Sequence, residues 1–204
     1  MASETARIEA FSDGVFAIAI TLLILEIKVP QPSAGPLAIQ LARQWPSYIS
    51  YVISFGFIGI MWINHHRLFN HIRRSNHGLM IYNMLLLLGV TFVPYPTSVL
   101  AAFLGKPDQR LAAIFYNGTY FFIAVFFNLL WRHAKSPKDR LFGSDVDSYA
   151  IAEINRKYAV GLTAYALCAV LAWWSVPASL CWNVALALFF AVPHKGVRTA
   201  HADL

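Results

Sequence analysis

The stretch RIEAFSDGVFAIAITLLILEIKVP, residues 7–30, decides the fold class of this chain. From Gly14 to Ile27 it is apolar apart from Thr21 and Glu26, which suits a helix heading into a membrane. Yet Arg7, Glu9, Ser12 and Asp13 stand where that helix would enter. Ionisable groups at membrane depth are costly and are almost always paired. The stretch therefore implies polar partners on other elements of the same chain.

The rest of the sequence agrees with the membrane reading. Of its 204 residues, 58% are hydrophobic and only 13% charged, and the mean hydropathy is +0.53. A soluble domain carries about a quarter of its residues as charges, so this chain is short of polar surface. The formal charge of +6 does not point to nucleic acid, because the basic residues lie between apolar runs and not on one soluble face. Cys168 and Cys181 fall inside apolar runs and have neither disulfide nor metal spacing. Continuous apolar runs also exclude a membrane β-barrel, whose strands alternate.

Six spans are expected, at about 7–28, 47–69, 78–104, 110–132, 150–174 and 177–193. This is an all-α polytopic membrane protein, a single six-helix unit over 1–204 with no soluble domain. Trp45, Tyr48 and Tyr51 open the second span as an interfacial aromatic belt. VPQPSAGP (29–36) is a loop, GKPDQ (105–109) a tight connection, AKSPKDRLFGSD (134–145) the one polar linker, and WWSVPAS (173–179) a short hairpin. TFVPYP (91–96) superficially echoes a potassium-channel filter, but it lies mid-span with two prolines and reads as a kink. The phenylalanine-rich fourth span is assigned to lipid or inter-subunit packing. The tail HKGVRTAHADL (194–204) is expected to be a solvated end.

Lysine and arginine bias sets the orientation. With the N-terminus in the cytoplasm, twelve of the sixteen Lys and Arg residues fall inside, and Lys28, Arg43, Lys106 and Arg110 outside. Both ends are then cytoplasmic, in the cell (inner) membrane. A cleaved signal peptide is disfavoured, because its n-region should lack acids and this one holds Glu4, Glu9 and Asp13.

On a helical wheel at about 100° per residue, Arg7, Phe11, Gly14, Ile18, Leu22 and Leu25 share one face. Asp13 points roughly opposite to Ile18, at about 140°, so its partner should sit on a neighbouring helix. WINHHRLF (62–69) closes the second span at the same depth, and the third span leaves from there with Tyr82 and Asn83. A polar cluster of Ser12 and Asp13 with His65 or His66 is expected, joined by Trp62 and Asn83. A bare helix N-cap at Ser12-Asp13 is the plainer alternative. A metal site is disfavoured, since adjacent histidines point about 100° apart on a helix. On spacing alone, the Ile18-Leu22-Leu25 stripe is ordinary helix packing more readily than a pore lining.

Arg7, Phe11, Ser12 and Asp13 form an Arg-x-x-x-Phe-Ser-Asp motif on a first membrane helix. It resembles the signature of the transmembrane protein 175 family, the lysosomal potassium channel of animals and its shorter prokaryotic homologues with one six-helix repeat. The resemblance is strong in the first 30 residues and general hydropathy elsewhere. It implies a homotetramer in the lipid bilayer whose first helices line a potassium-selective, leak-type pore. The implied narrow points are Ile18, Leu22 and Leu25, with Thr21 used in some members, while the motif residues tie the helix to its neighbours. No cofactor is implied beyond the permeating potassium ion, and no nucleic acid. A ring of isoleucine offers an ion no ligands, so such a pore would close by dewetting and steric contact. Two rivals stand beside it: a secondary transporter, which predicts broken helices and inverted repeats, and a membrane enzyme using Asp13 with His65 or His66 for acid–base work.

Overall fold

The structure is a computed structural model that describes residues 5–138, 141–142 and 148–191. The expected tail, 194–204, and most of the polar linker after Lys138 lie outside the described residues. The described backbone is helical, in the order α1 (Ala6–Leu22), α2 (Leu37–Arg43), α3 (Trp45–Phe69), α4 (His77–Phe92), α5 (Pro94–Phe103), α6 (Gln109–Ala134), α7 (Ser148–Trp174) and α8 (Val176–Ala191). A 3₁₀ turn, Leu23–Glu26, extends α1.

Among the described residues, five helical stretches are long and apolar enough to cross a membrane: Ala6–Glu26, Trp45–Phe69, His77–Phe103, Gln109–Ala134 and Ile154–Trp174. The sixth expected span is the apolar helix α8 of 16 residues, about 24 Å long at 1.5 Å per residue. Local chemistry explains the boundaries. Pro46 occupies the first turn of α3, where its missing N–H costs nothing. Asn76 caps α4 by accepting from the Leu79 N–H at 2.8 Å. Pro94 and Pro96 divide the third span into α4 and α5 at Val93, and the Thr97 hydroxyl donates to the Val93 carbonyl at 2.8 Å. The kink expected at TFVPYP is therefore present, built by proline and bridged by a threonine. The short helix α2 lies on the stretch after the 29–36 loop, where apolar-run length gave no signal.

The fourth span needs a correction. Its phenylalanines suggest lipid or inter-subunit packing, but α6 is the centre of the bundle and packs on α4, α5, α7 and α8. Its Tyr116 and Tyr120 are buried, and Tyr120 lies 4.6 Å, centroid to centroid, from Phe57 of α3. The outward side, with Leu111, Phe115, Phe121 and Phe122, is exposed. Hydropathy treats all of these rings alike; hydroxyls and small residues select the inner face. Gly89 lets α4 close on α6, since a Cβ there would meet Ile123 at 2.6 Å.

A second, smaller apolar cluster caps one end of the bundle. Leu68, Phe69, Ile72, Leu79, Trp131 and Leu141 are buried together there. The Arg73 N–H donates to the Leu141 carbonyl at 2.9 Å, and the Thr5 hydroxyl to the Ile72 carbonyl at 3.3 Å. The start of α1, the α3–α4 loop and the segment after α6 are thus fastened at one end. That end carries Arg7, Arg67, Arg73, Arg74, Arg132 and Lys135, six of the twelve basic residues that the charge bias placed together.

Candidate functional site

Helix α1 has two unlike faces. Ser12, Phe16, Ala19 and Leu23 are buried against the rest of the subunit. They recur at the spacing of one helix face, and α1 packs on α3, α4 and α5. On the other side Phe11, Ile18, Leu22 and Leu25 are 42–62% exposed. Arg7, Gly14, Ala17 and Thr21 are exposed on the same side. The single stripe expected from the wheel is thus turned wholly away from its own subunit. Thr21 shares its hydroxyl proton between the Ala17 and Ile18 carbonyls, both at 2.9 Å, so its donor stays engaged with its own helix.

Three polar links fix the rotation of α1. In the first, the buried His65 ring donates from Nε2 to Asn83 Oδ1 at 2.9 Å. Asn83 Nδ2 donates to Ser12 Oγ at 3.0 Å, and Ser12 Oγ donates to the Ile8 carbonyl at 2.8 Å. Each group in this relay has a donor matched to an acceptor, which also settles which way the Asn83 amide points. In the second, Trp62 Nε1 donates to Asp13 Oδ1 at 2.9 Å. In the third, His66 Nδ1 meets Glu9 Oε1 at 2.7 Å. Interhelical hydrogen bonds in membranes contribute about 0.6–2 kcal/mol each. Together they make rotation of α1 about its axis costly.

The structure brings these residues together through separate links. Ser12, Asp13, Trp62, His65, His66 and Asn83 do gather at one depth. Asp13, however, bonds neither histidine; its partner is Trp62. The reason is geometric. Adjacent histidines diverge by about 100° on a helix, so His65 turns inward to Asn83, stacked on Phe69 at 4.5 Å between ring centroids, while His66 turns outward. The N-cap alternative fails as well, because α1 begins at Ala6 and runs through Ser12 and Asp13. Glu9 is the residue the sequence reading left out of the cluster. Its signal was available, since it lies four residues before Asp13 and therefore on the same face.

The comparisons with known proteins bear on what this helix serves. The model of the family described as the endosomal/lysosomal potassium channel TMEM175 matches residues 7–94, which hold the motif and the whole network. A potassium channel of Chamaesiphon minutus is 47% identical over 198 residues, covering 93% of this chain and 95% of that one.

The chain belongs to the TMEM175 family.

A potassium channel of Streptomyces collinus is 43% identical to this family member over 202 residues and 98% of each chain. The crystal structure of a lysosomal potassium-selective channel TMEM175 homolog from Chamaesiphon minutus superposes with a TM-score of 0.83 at 45% identity, covering 92% of this chain and 96% of that one. The protein is therefore an all-helical, multi-pass membrane member of a channel family. The enzyme alternative loses its footing with this assignment.

Proposed function

We propose that this chain is the subunit of a homotetrameric, potassium-selective leak channel of the cell membrane, with the first helix of each of four copies lining the pore. The observation that carries the reading is the division of α1, one face buried and pinned by three polar links, the other apolar and unpartnered within the subunit. Lipid would also accept an apolar face. A gate needs more, namely a face held at one rotation, and the anchoring network supplies that. The relatives at 47% and 43% identity, each named a potassium channel, support the same ion.

In this reading Ile18, Leu22 and Leu25 form the constriction and Thr21 places a hydroxyl oxygen between them. From Ile18 to Leu25 the rise is about 10 Å, several ion diameters of wall whose one oxygen is the Thr21 hydroxyl. Water leaves such a neck readily, so the barrier is the cost of dehydrating the ion. Ions that hold their water weakly then pass more easily, which favours potassium over sodium. The four motif residues divide the remaining work. Ser12 and Asp13 anchor the helix, while Arg7 and Phe11 stand on the open face towards the pore entrance. The single unit 1–204 is oriented with both ends in the cytoplasm.

Potassium flux from liposomes holding the purified protein tests the assignment. Replacing Ile18 with Asn should raise flux and reduce the preference for potassium over sodium, because an amide ring wets the neck. Flux and selectivity equal to the parent protein would remove Ile18 from the gate.

A further inference from the structure

Away from α1, two adjoining clefts run along the seam where α3, α6, α7 and α8 meet. They share Asn64, Tyr158 and Phe190. One cleft is walled by apolar and aromatic groups, among them Met61, Tyr120, Ala124 and Leu162. The other is lined by Arg67 and Ile154 as well. Along α7 the seam extends from Ile154 to Tyr165, about 16 Å of helix rise. Its depth comes from a close approach: a Cβ on Gly161 would meet Phe190 at 2.9 Å, so glycine lets that ring swing in and floor the cleft.

The mouth is chemically unlike the interior. Arg67 is half-buried, stands within a turn of the α3 end, and forms no ion pair among the described residues. Asn64 lies one turn further in, and its amide has no hydrogen-bond partner among the described residues. An arginine at the rim of an apolar channel in a membrane helix offers a fork of donors matched to phosphate oxygens. Below it, a narrow apolar slot accepts hydrocarbon. Neither feature takes part in the α1 network.

We infer that the seam between α3, α6, α7 and α8 binds one anionic phospholipid of the adjacent leaflet, its phosphate on Arg67 and Asn64 and one acyl chain in the slot lined by Met61, Ala124 and Leu162. The inference rests on the membrane-spanning fold and not on the pore assignment, so either can fail without the other. One arginine near an anionic headgroup supplies about a fivefold preference over a zwitterionic lipid. The site holds α3 and α7 together from outside, at the end of the bundle where α1 is also fastened.

The test is native mass spectrometry of the full-length protein released from membranes of equal phosphatidylglycerol and phosphatidylcholine. The parent protein should keep phosphatidylglycerol about fivefold over phosphatidylcholine. Arg67→Ala should bring the ratio near parity, while Arg132→Ala, an exposed arginine at the same end but outside the clefts, should leave it unchanged. Ala124→Phe, which fills the slot, should remove retained lipid of both kinds. Leu162→Trp does the same from a half-buried position, and serves if Ala124→Phe does not fold. Equal loss with Arg132→Ala, or full retention with Arg67→Ala or in a folded slot-filling variant, overturns the site. A photo-crosslinker at Leu162 should label lipid; a crosslink to a second copy of the chain instead would assign the seam to assembly and also overturn it.

Discussion

The indole of Trp62 on α3 donates to the carboxylate of Asp13 on α1 at 2.9 Å. This contact ties the last residue of the family motif to the second span at the level where the first becomes apolar. A charge-assisted bond of this kind is roughly twice as strong as a neutral one. It also gives the motif acid a partner that stays uncharged. We expect Trp62→Phe and Asp13→Leu each to lower the thermal stability of the purified protein, and the double variant to lose less than their sum. A coupling of about 1 kcal/mol in that cycle is expected; additive losses would show that the contact contributes nothing.

Asn83 holds the centre of the buried relay, accepting from His65 and donating to Ser12. Nδ1 of His65 already has no hydrogen-bond partner among the described residues. Asn83→Ala therefore leaves the ring with both nitrogens unsatisfied and Ser12 without its donor. Destabilisation of about 1–3 kcal/mol should follow, read as a lower unfolding temperature in detergent. An unchanged transition would mean that water fills the gap.

Glycine substitutions separate contact from propensity. Gly89→Ala places a methyl 2.6 Å from Ile123 across the α4–α6 crossing and should cost about 1–3 kcal/mol. Gly118→Ala meets no atom within 4 Å and should stabilise by about 0.5–1 kcal/mol through helix propensity. The same chemical change is thus expected to shift the melting temperature in opposite directions, and shifts of one sign would refute the crossing geometry.

Assembly around α1 has a direct readout. With the exposed Cys181 replaced by serine and Cys168 buried, an Ile18→Cys chain should form disulfide-linked dimers on oxidation in native membranes. The same cysteine at buried Ala19 should not, because it faces α1's own subunit. Equal crosslinking at the two positions would place the shared axis elsewhere.

Much of the architecture could be read in advance because span length and proline chemistry are local properties. The kink at Val93 followed from Pro94 and Pro96, and the gathering of Ser12, Trp62, His65 and Asn83 followed from their common depth. The central place of α6 did not follow. A lipid-facing and a protein-facing aromatic ring have nearly the same hydropathy, so Phe122 and Tyr120 are alike until neighbours are assigned. The seam at Arg67 was equally hidden, since its walls come from four helices distant in sequence.

By itself, the sequence determined that the chain crosses a membrane on helices, that its basic end is one end, and that the first helix carries one apolar and one polar-anchored side. These depend on periodicity and on the cost of leaving charge unpaired in hydrocarbon. Only the tertiary structure decided who pairs with whom: Asp13 with Trp62, His66 with Glu9, and His65 with Asn83. The rotation of α3 against α1 selects among donors that all lie within reach along the chain, and that rotation is set by packing across the whole bundle.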